Sequence, residues 1–315
     1  MKVLNRREMM RRGAGVAFAS FVACKWSPSA TAMPLNLPAG IQLYAVRDAL
    51  EEDARRTLQR LAEIGFREVE LAGLGRYSAK DIGAFLKDAG LRAPSAHLLF
   101  VDDADLDRNF DICHAIGAEY VTSSNLRSLV FSRDIAVVDR RIPPKDLSPL
   151  SPVGLHGFQK TAAKMNDFGR RAQEAGLQYC YHNHNLEFER MPDGSTGFDV
   201  LLRETNPDSV TFELDCGWVK GAGEDPVRFL RDYKARFRML HVKDFKMPAH
   251  FTTEQRGRNR PEGALLGHGF IDYRPVFSAA RSAGIEHIFA EQEGPYQPSE
   301  IACARTSFSF LQRFS

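Results

Sequence analysis

The chain lacks three features that would assign it to familiar classes. It has no CxxC pair, no glycine-rich turn behind its first strand-like run, and no long apolar stretch. Its cysteines are too widely spaced for a zinc-thiolate site or a disulfide-stapled scaffold, so Cys113, Cys180, Cys216 and Cys303 read as buried free thiols. A doubly wound nucleotide-binding sheet usually announces itself with glycines after strand one, whereas here "LYAVRDAL" follows, without a glycine. The one apolar run near the start is too short for a lasting membrane span. What remains is a chain of 315 residues, 43% hydrophobic and 26% charged, able to bury a large core as one domain or two.

The first 32 residues read as an export signal. "NRREMMRRGAGVAFASFVACKW" gives arginine pairs and then a weakly hydrophobic run, and "SPSATA" supplies small residues three apart. Arg6-Arg7 before such a run resembles a twin-arginine signal, which implies a periplasmic or exported protein, with cleavage expected after Ala32. Lipid attachment at Cys24 and a cytosolic N-terminal helix are the competing readings. Removing residues 1–32 takes six cations (Lys2, Arg6, Arg7, Arg11, Arg12, Lys25) and one anion (Glu8) from a chain of formal charge +2, leaving −3. That balance offers no electrostatic footprint for nucleic acid.

From residue 39 short apolar runs alternate with longer segments of helical period. The expected strands are 40–46, 68–73, 93–99, 119–124, 177–184, 210–215, 238–244 and 287–293, with helices ending at Gly65, Gly90, Gly176 and Gly284. Eight strands, most followed by a helix, predict a single (β/α)8 TIM barrel over 33–315, with a doubly wound sheet as the alternative. Two long connections, 126–154 and 246–269, follow strands four and seven and would lie at the C-terminal mouth. There they would shape a substrate site or an interface, the first leaving a homo-oligomer open, or serve as plain surface insertions.

Buried barrel strands should be apolar, so polar residues recurring at their C-terminal ends matter. Glu70, His97, His182 and His184, Glu213 and Asp215, His241 and Lys243, and Glu291 and Glu293 all fall there. Residues two apart share a strand face, so each pair is expected to point inward together, with Asn183 facing away. Any one of these is more often solvated or hydrogen-bonded than catalytic. Jointly, so many ionisable groups at one mouth need a cation or substrate to neutralise them, and imidazole with carboxylate but no thiolate suits Mn²⁺, Zn²⁺, Co²⁺ or Mg²⁺.

The succession "GIQLYAVRD", "EVELAG", "YHNHNLEFE", "FELDCGWV", "LHVKDF", "GHGFIDY" and "AEQEGP" resembles the xylose isomerase-like barrel superfamily. Within it the likeness is to the sugar phosphate isomerase/epimerase group, which also includes ketose 3-epimerases, inosose dehydratases and relatives of endonuclease IV. It runs from about residue 39 to 315 and is sharpest at strands five to eight. The resemblance implies one divalent metal ion held by His182, Asp215, His241 and Glu291. This chain departs from the ketose epimerases in having His182 where they carry a glutamate, and Trp218 where they offer a histidine.

Chemistry of that group begins with proton removal next to a carbonyl, giving an enediolate. His184 and Glu293 are the candidate bases, with Glu187 and Glu213 in reserve or at the substrate. Lys243, a catalytic candidate, and His97 could bind substrate hydroxyls or stabilise oxyanion character, an ion pair or core hydrogen bond being at least as ordinary a role. Trp218 with Tyr44 could wall a sugar ring, although core packing is the more frequent fate of such aromatics. Reprotonation would make an isomerase or epimerase of a free or keto sugar; loss of a β-substituent would make a lyase or dehydratase. A non-catalytic sugar-binding barrel is the alternative from another class. A nuclease would need a basic groove and more histidines near strands three and four.

Overall fold

The computed structural model describes residues 33–98, 103–124, 152–255 and 257–314, the side chains of 103 and 104 excepted. The leader-like residues 1–32 and nearly all of the first long connection lie outside them.

The eight expected strands form one closed parallel barrel. β1 (Gly40–Gln42), β2 (Glu68–Leu71), β3 (Arg92–His97), β4 (Tyr120–Ser123), β5 (Gln178–His182), β6 (Val210–Asp215) and β7 (Phe237–Val242) pair in chain order. Two short strands follow, β8 (Asp244–Phe245) and β9 (Gly263–Ala264), before β10 (His287–Ala290) closes the ring against β1, Gly40 opposite Phe289. Around the barrel run the helices α1 (Arg47–Ile64), α2 (Ala79–Ala89), α3 (Asp103–Ile116), α4 (Gly154–Glu174), α5 (Gly197–Glu204), α6 (Cys216–Gly221), α7 (Pro226–Asp232), α8 (Tyr273–Ala283) and α9 (Glu300–Gln312). No helix among the described residues is long and apolar enough to cross a membrane.

Local signals explain the boundaries. Ser78 and Thr196 open α2 and α5 with reciprocal capping boxes to Asp81 and Asp199. Gly90 and Gly284 end α2 and α8 in the left-handed region, which a Cβ would oppose.

Outward strand residues such as Val69, Val121, Phe212, Leu240 and Ile288 are fully buried against the helices. Inside the barrel, Tyr120, Cys180, Met239 and Phe289 form a separate buried cluster. Two residues further along the same strands come Thr122, His182 and His241, and, just past β10, Glu291. The pleat therefore stacks a polar layer directly on an apolar one, toward the C-terminal mouth.

The fifth, seventh and eighth expected strands, now β5, β7 and β10, end earlier than expected, so His184, Lys243, Glu291 and Glu293 sit just beyond regular pairing. Much of the second long connection is ordered: β8 and β9 pair antiparallel, and the Asp244 carboxylate accepts from the backbone N–H groups of Gly267 (3.0 Å), Gly269 (2.9 Å) and Ile271 (3.3 Å). A Cβ at Gly269 would fall 2.0 Å from Asp244 Oδ1, so the clasp requires glycine there.

Candidate metal centre and active site

Asp215 ends β6 and is also the N-cap of α6: its Oδ1 accepts from Trp218 N at 2.8 Å. Asn183 clasps the same residue from β5's end, accepting from Asp215 N (3.0 Å) and donating to Asp215 O (3.3 Å). The carboxylate is thus fixed with Oδ2 turned into the barrel, where it is buried and its nearest partner is the Lys243 ammonium, 3.2 Å away. His182 Nε2 lies 3.9 Å from that atom and His241 Nδ1 3.8 Å. Glu291 Oε2 completes the group, 2.8 Å from His241 Nδ1.

His182, Asp215, His241 and Glu291 are all buried, and each brings one ligand atom within 4.8 Å of the other three. Behind them Glu213 Oε2 takes His182 Nδ1 (2.8 Å) and His241 Nε2 (3.0 Å), while Glu70 Oε2 also takes His241 Nε2 (2.6 Å). Carboxylates on the far nitrogens fix both rings and leave one nitrogen of each turned to the front. Glu70 is held in turn by Gln42 Nε2 (2.9 Å) and Ser95 Oγ (2.7 Å). Two forward imidazole nitrogens and two carboxylate oxygens, Asp215 Oδ2 and Glu291 Oε2, at this spacing fit a divalent cation with bonds of about 2.0–2.2 Å.

The charges around this group shift its members in directions set by burial and neighbours. Burial, reinforced by Glu70, pushes Glu213 up to about 8. Burial would also raise Glu291, but the Lys243 ammonium and His241 overcome it and hold Glu291 low. His241 is raised despite burial because Glu213 and Glu70 face it. Burial, with the cation of Lys243, drives His184 well below the usual imidazole range, so its ring is neutral at pH 7.

Lys243 is almost wholly buried, its Nζ 2.7 Å from Glu293 Oε1, 2.9 Å from Glu291 Oε2 and 3.2 Å from Asp215 Oδ2. Its backbone is held by the Tyr273 hydroxyl, 2.9 Å from Lys243 N, and its stem needs the missing side chain of Gly217, where a Cβ would stand 2.9 Å from Lys243 Cβ. His184 lies beside this group, its ring 5.0 Å from His182 and 5.4 Å from Trp218. His97 hydrogen-bonds Ser124 Oγ at 2.7 Å, its ring 4.8 Å from that of His182.

Three residues expected at the substrate are placed elsewhere. Glu213 stands behind the ligand group, shielded by both histidines. Glu187 is buried, accepting from Tyr181 Oη (2.8 Å) and His184 N (3.0 Å), and burial pushes it up to about 7. Trp218 forms no open wall: it is 1% exposed, covered by the Lys243 and Arg260 cations and by Phe245. Tyr44 does reach the surface, beneath the Arg47 guanidinium.

Two residues escaped the sequence reading. Arg260, from the connection between β8 and β9, pairs with Glu293. Asn185, buried, donates to Thr252 O (2.8 Å) and Glu254 O (3.0 Å) of that connection. In "YHNHN" the histidines thus approach the site and the asparagines clamp backbone, a division that alternating parity foreshadowed for Asn183 alone.

Comparison with known proteins places the fold. The family model of the xylose isomerase-like TIM barrel matches residues 58–314, and the chain belongs to that family. An inosose dehydratase of Lacticaseibacillus casei is 27% identical over 138 residues, which span 41% of this chain and only 44% of that protein. One of Mesomycoplasma hyopneumoniae (strain 7448) is 26% identical over 279 residues, 82% of this chain and 87% of that one. A sugar phosphate isomerase/epimerase structure from Parabacteroides distasonis ATCC 8503 superposes with a TM-score of 0.67 at 24% identity, covering 92% of this chain and 97% of the other.

Proposed function

We propose that the protein is a divalent-metal-dependent enzyme that removes the proton next to the carbonyl of an uncharged polyhydroxy ketone and then expels a β-hydroxyl, a dehydratase reaction. The inosose dehydratases among its relatives support the substrate class. His182, Asp215, His241 and Glu291 would hold the ion. Bound there, it would draw electron density from the ketone and its neighbouring hydroxyl and acidify the α C–H.

His184 is the base in this reading, being neutral and placed beside the ligand group. It takes the α-proton, the C–H electron pair forms the new C=C bond, and the β C–O bond breaks. Lys243, an ammonium among carboxylates, gives its proton to the departing oxygen, which leaves as water. Glu70 and Glu213 keep both histidine rings oriented.

The observation that favours elimination over two-base epimerisation is the state of the carboxylates. Glu213 is enclosed behind the histidines, Glu187 is hydrogen-bonded and buried, and Glu293 is bracketed by Lys243 and Arg260. None of them is a free second base. Isomerisation needs only reprotonation at the adjacent carbon by the same groups, and the isomerase/epimerase neighbour keeps it as the second reading. The leader-like residues 1–32 support an exported enzyme, which would meet unphosphorylated substrates.

The test is to incubate metal-loaded enzyme in D₂O with inososes, free and 3-keto sugars, and glycosides. Loss of water or another β-substituent is expected. Deuterium at an α-carbon without elimination would replace the dehydratase reading by isomerisation, and no reaction or exchange at all would leave a binding protein.

A further inference from the structure

The connection between β8 and β9 carries a second set of polar contacts to the mouth. Asn185 holds two of its carbonyls, and Thr252 N donates to Gly221 O (3.0 Å), so the connection is tied to the turn after β5 and to the C-terminal end of α6. The tie delivers Arg260. Its Nε donates to Gln255 O (3.0 Å), one terminal nitrogen meets Glu293, its guanidinium carbon stands 5.2 Å from the Trp218 ring centre, and the other terminal nitrogen makes no hydrogen bond among the described residues. The side chains of Arg260 and Glu293 are 14% and 15% exposed, whereas Lys243 beneath them is 1% exposed. They are the charged pair within reach of solvent that adjoins the Lys243–Glu291 end of the ligand group.

We propose that Arg260 is a specificity-determining residue, recognising together with Glu293 two neighbouring hydroxyls of the substrate away from its reacting carbons, and that Asn185 is the positioning residue that sets Arg260 there. A hydroxyl both donates and accepts. Adjacent hydroxyls can therefore accept from the open guanidinium nitrogen and donate to the carboxylate, whereas an anionic group would meet Glu293 unfavourably. The inference rests on the uncharged polyhydroxy substrate class proposed above.

The experiment measures kcat, KM and metal content of the wild type, Arg260→Met, Asn185→Ala and the double variant with 2-keto-myo-inositol, and binding of the same compound by calorimetry. Losing hydrogen bonds to a charged group should raise KM and weaken binding about tenfold or more in Arg260→Met, with metal content unchanged and kcat much less affected. Asn185→Ala should shift KM the same way by less, and add nothing on top of Arg260→Met. An unchanged KM and affinity in Arg260→Met overturns the recognition role, and additive effects overturn the positioning role. A wild type that binds the compound without turning it over, with Arg260→Met binding about tenfold weaker, supports recognition and overturns only the proposed reaction. A wild type that does not bind it overturns both.

Discussion

Both ends of the barrel carry a histidine hydrogen-bonded to a glutamate at the same distance, yet only one end has the makings of a reaction centre. At the N-terminal end His287 Nδ1 meets Glu68 Oε2 at 2.8 Å, and Glu68 also takes the largely exposed Arg92. One acid there faces an exposed cation, and the charges are satisfied locally. At the C-terminal end the same His–Glu contact, His241 to Glu291, stands among Glu70, Glu213, Asp215 and Lys243, all buried, with the one ammonium shared by Asp215, Glu291 and Glu293. A His–Glu pair alone therefore indicates nothing. What distinguishes the mouth is an excess of buried acids over partners, a state whose cost an added cation removes.

Substitutions at the two ends should separate sharply. Asp215→Ala should abolish turnover while the barrel stays folded, checked by steady-state assay and circular dichroism; His287→Gln should leave turnover intact and cost only stability. Beneath the mouth, Met239→Ala in the apolar layer should destabilise by about 2–5 kcal/mol in thermal or denaturant unfolding, because it opens a cavity in a packed interior. Glu213→Gln keeps the shape but weakens the hold on both imidazoles. A loss of about 10–100-fold in metal affinity or activity is expected, against no change for the same substitution at Glu68.

A further effect concerns the pH dependence of stability. Glu187 titrates near 7 when folded, above its unfolded value, so between those values the folded protein binds the extra proton and stability falls as pH rises. Glu187→Gln should remove a slope of up to about 1.4 kcal/mol per pH unit across roughly pH 4.5 to 7, measured by denaturant unfolding.

The barrel was legible because its signals are local and periodic: eight apolar runs, glycine stops, and polar residues at the C-terminal ends of strands. His182, Asp215, His241 and Glu291, which the family resemblance picks out among the polar strand-end residues, are found together, since each is held by the strand end on which it lies. Depth was not legible. Same-face parity placed Glu213 beside Asp215 without showing that it lies one layer lower, behind two imidazoles. Parity also gives out past a strand's last paired residue, as at His184. Trp218 reads as a wall or as core, because sequence shows an aromatic residue but not the cations that cover it. Arg260 and Asn185 carried no periodic signal; their contacts exist only once the connection between β8 and β9 folds across the mouth. Asp244 likewise reads as the last residue of the seventh expected strand, although four backbone N–H groups converge on its carboxylate.

The most direct measurement is the divalent metal content of the purified, dialysed protein and of its His182→Ala, Asp215→Ala and His287→Gln variants, by elemental analysis. About one ion per chain in the wild type and His287→Gln, and none retained by His182→Ala and Asp215→Ala, is the expected result. A near-stoichiometric ion persisting in both mouth variants, or no ion in a folded wild type supplied with metal, would contradict the assignment of this end of the barrel as a metal centre.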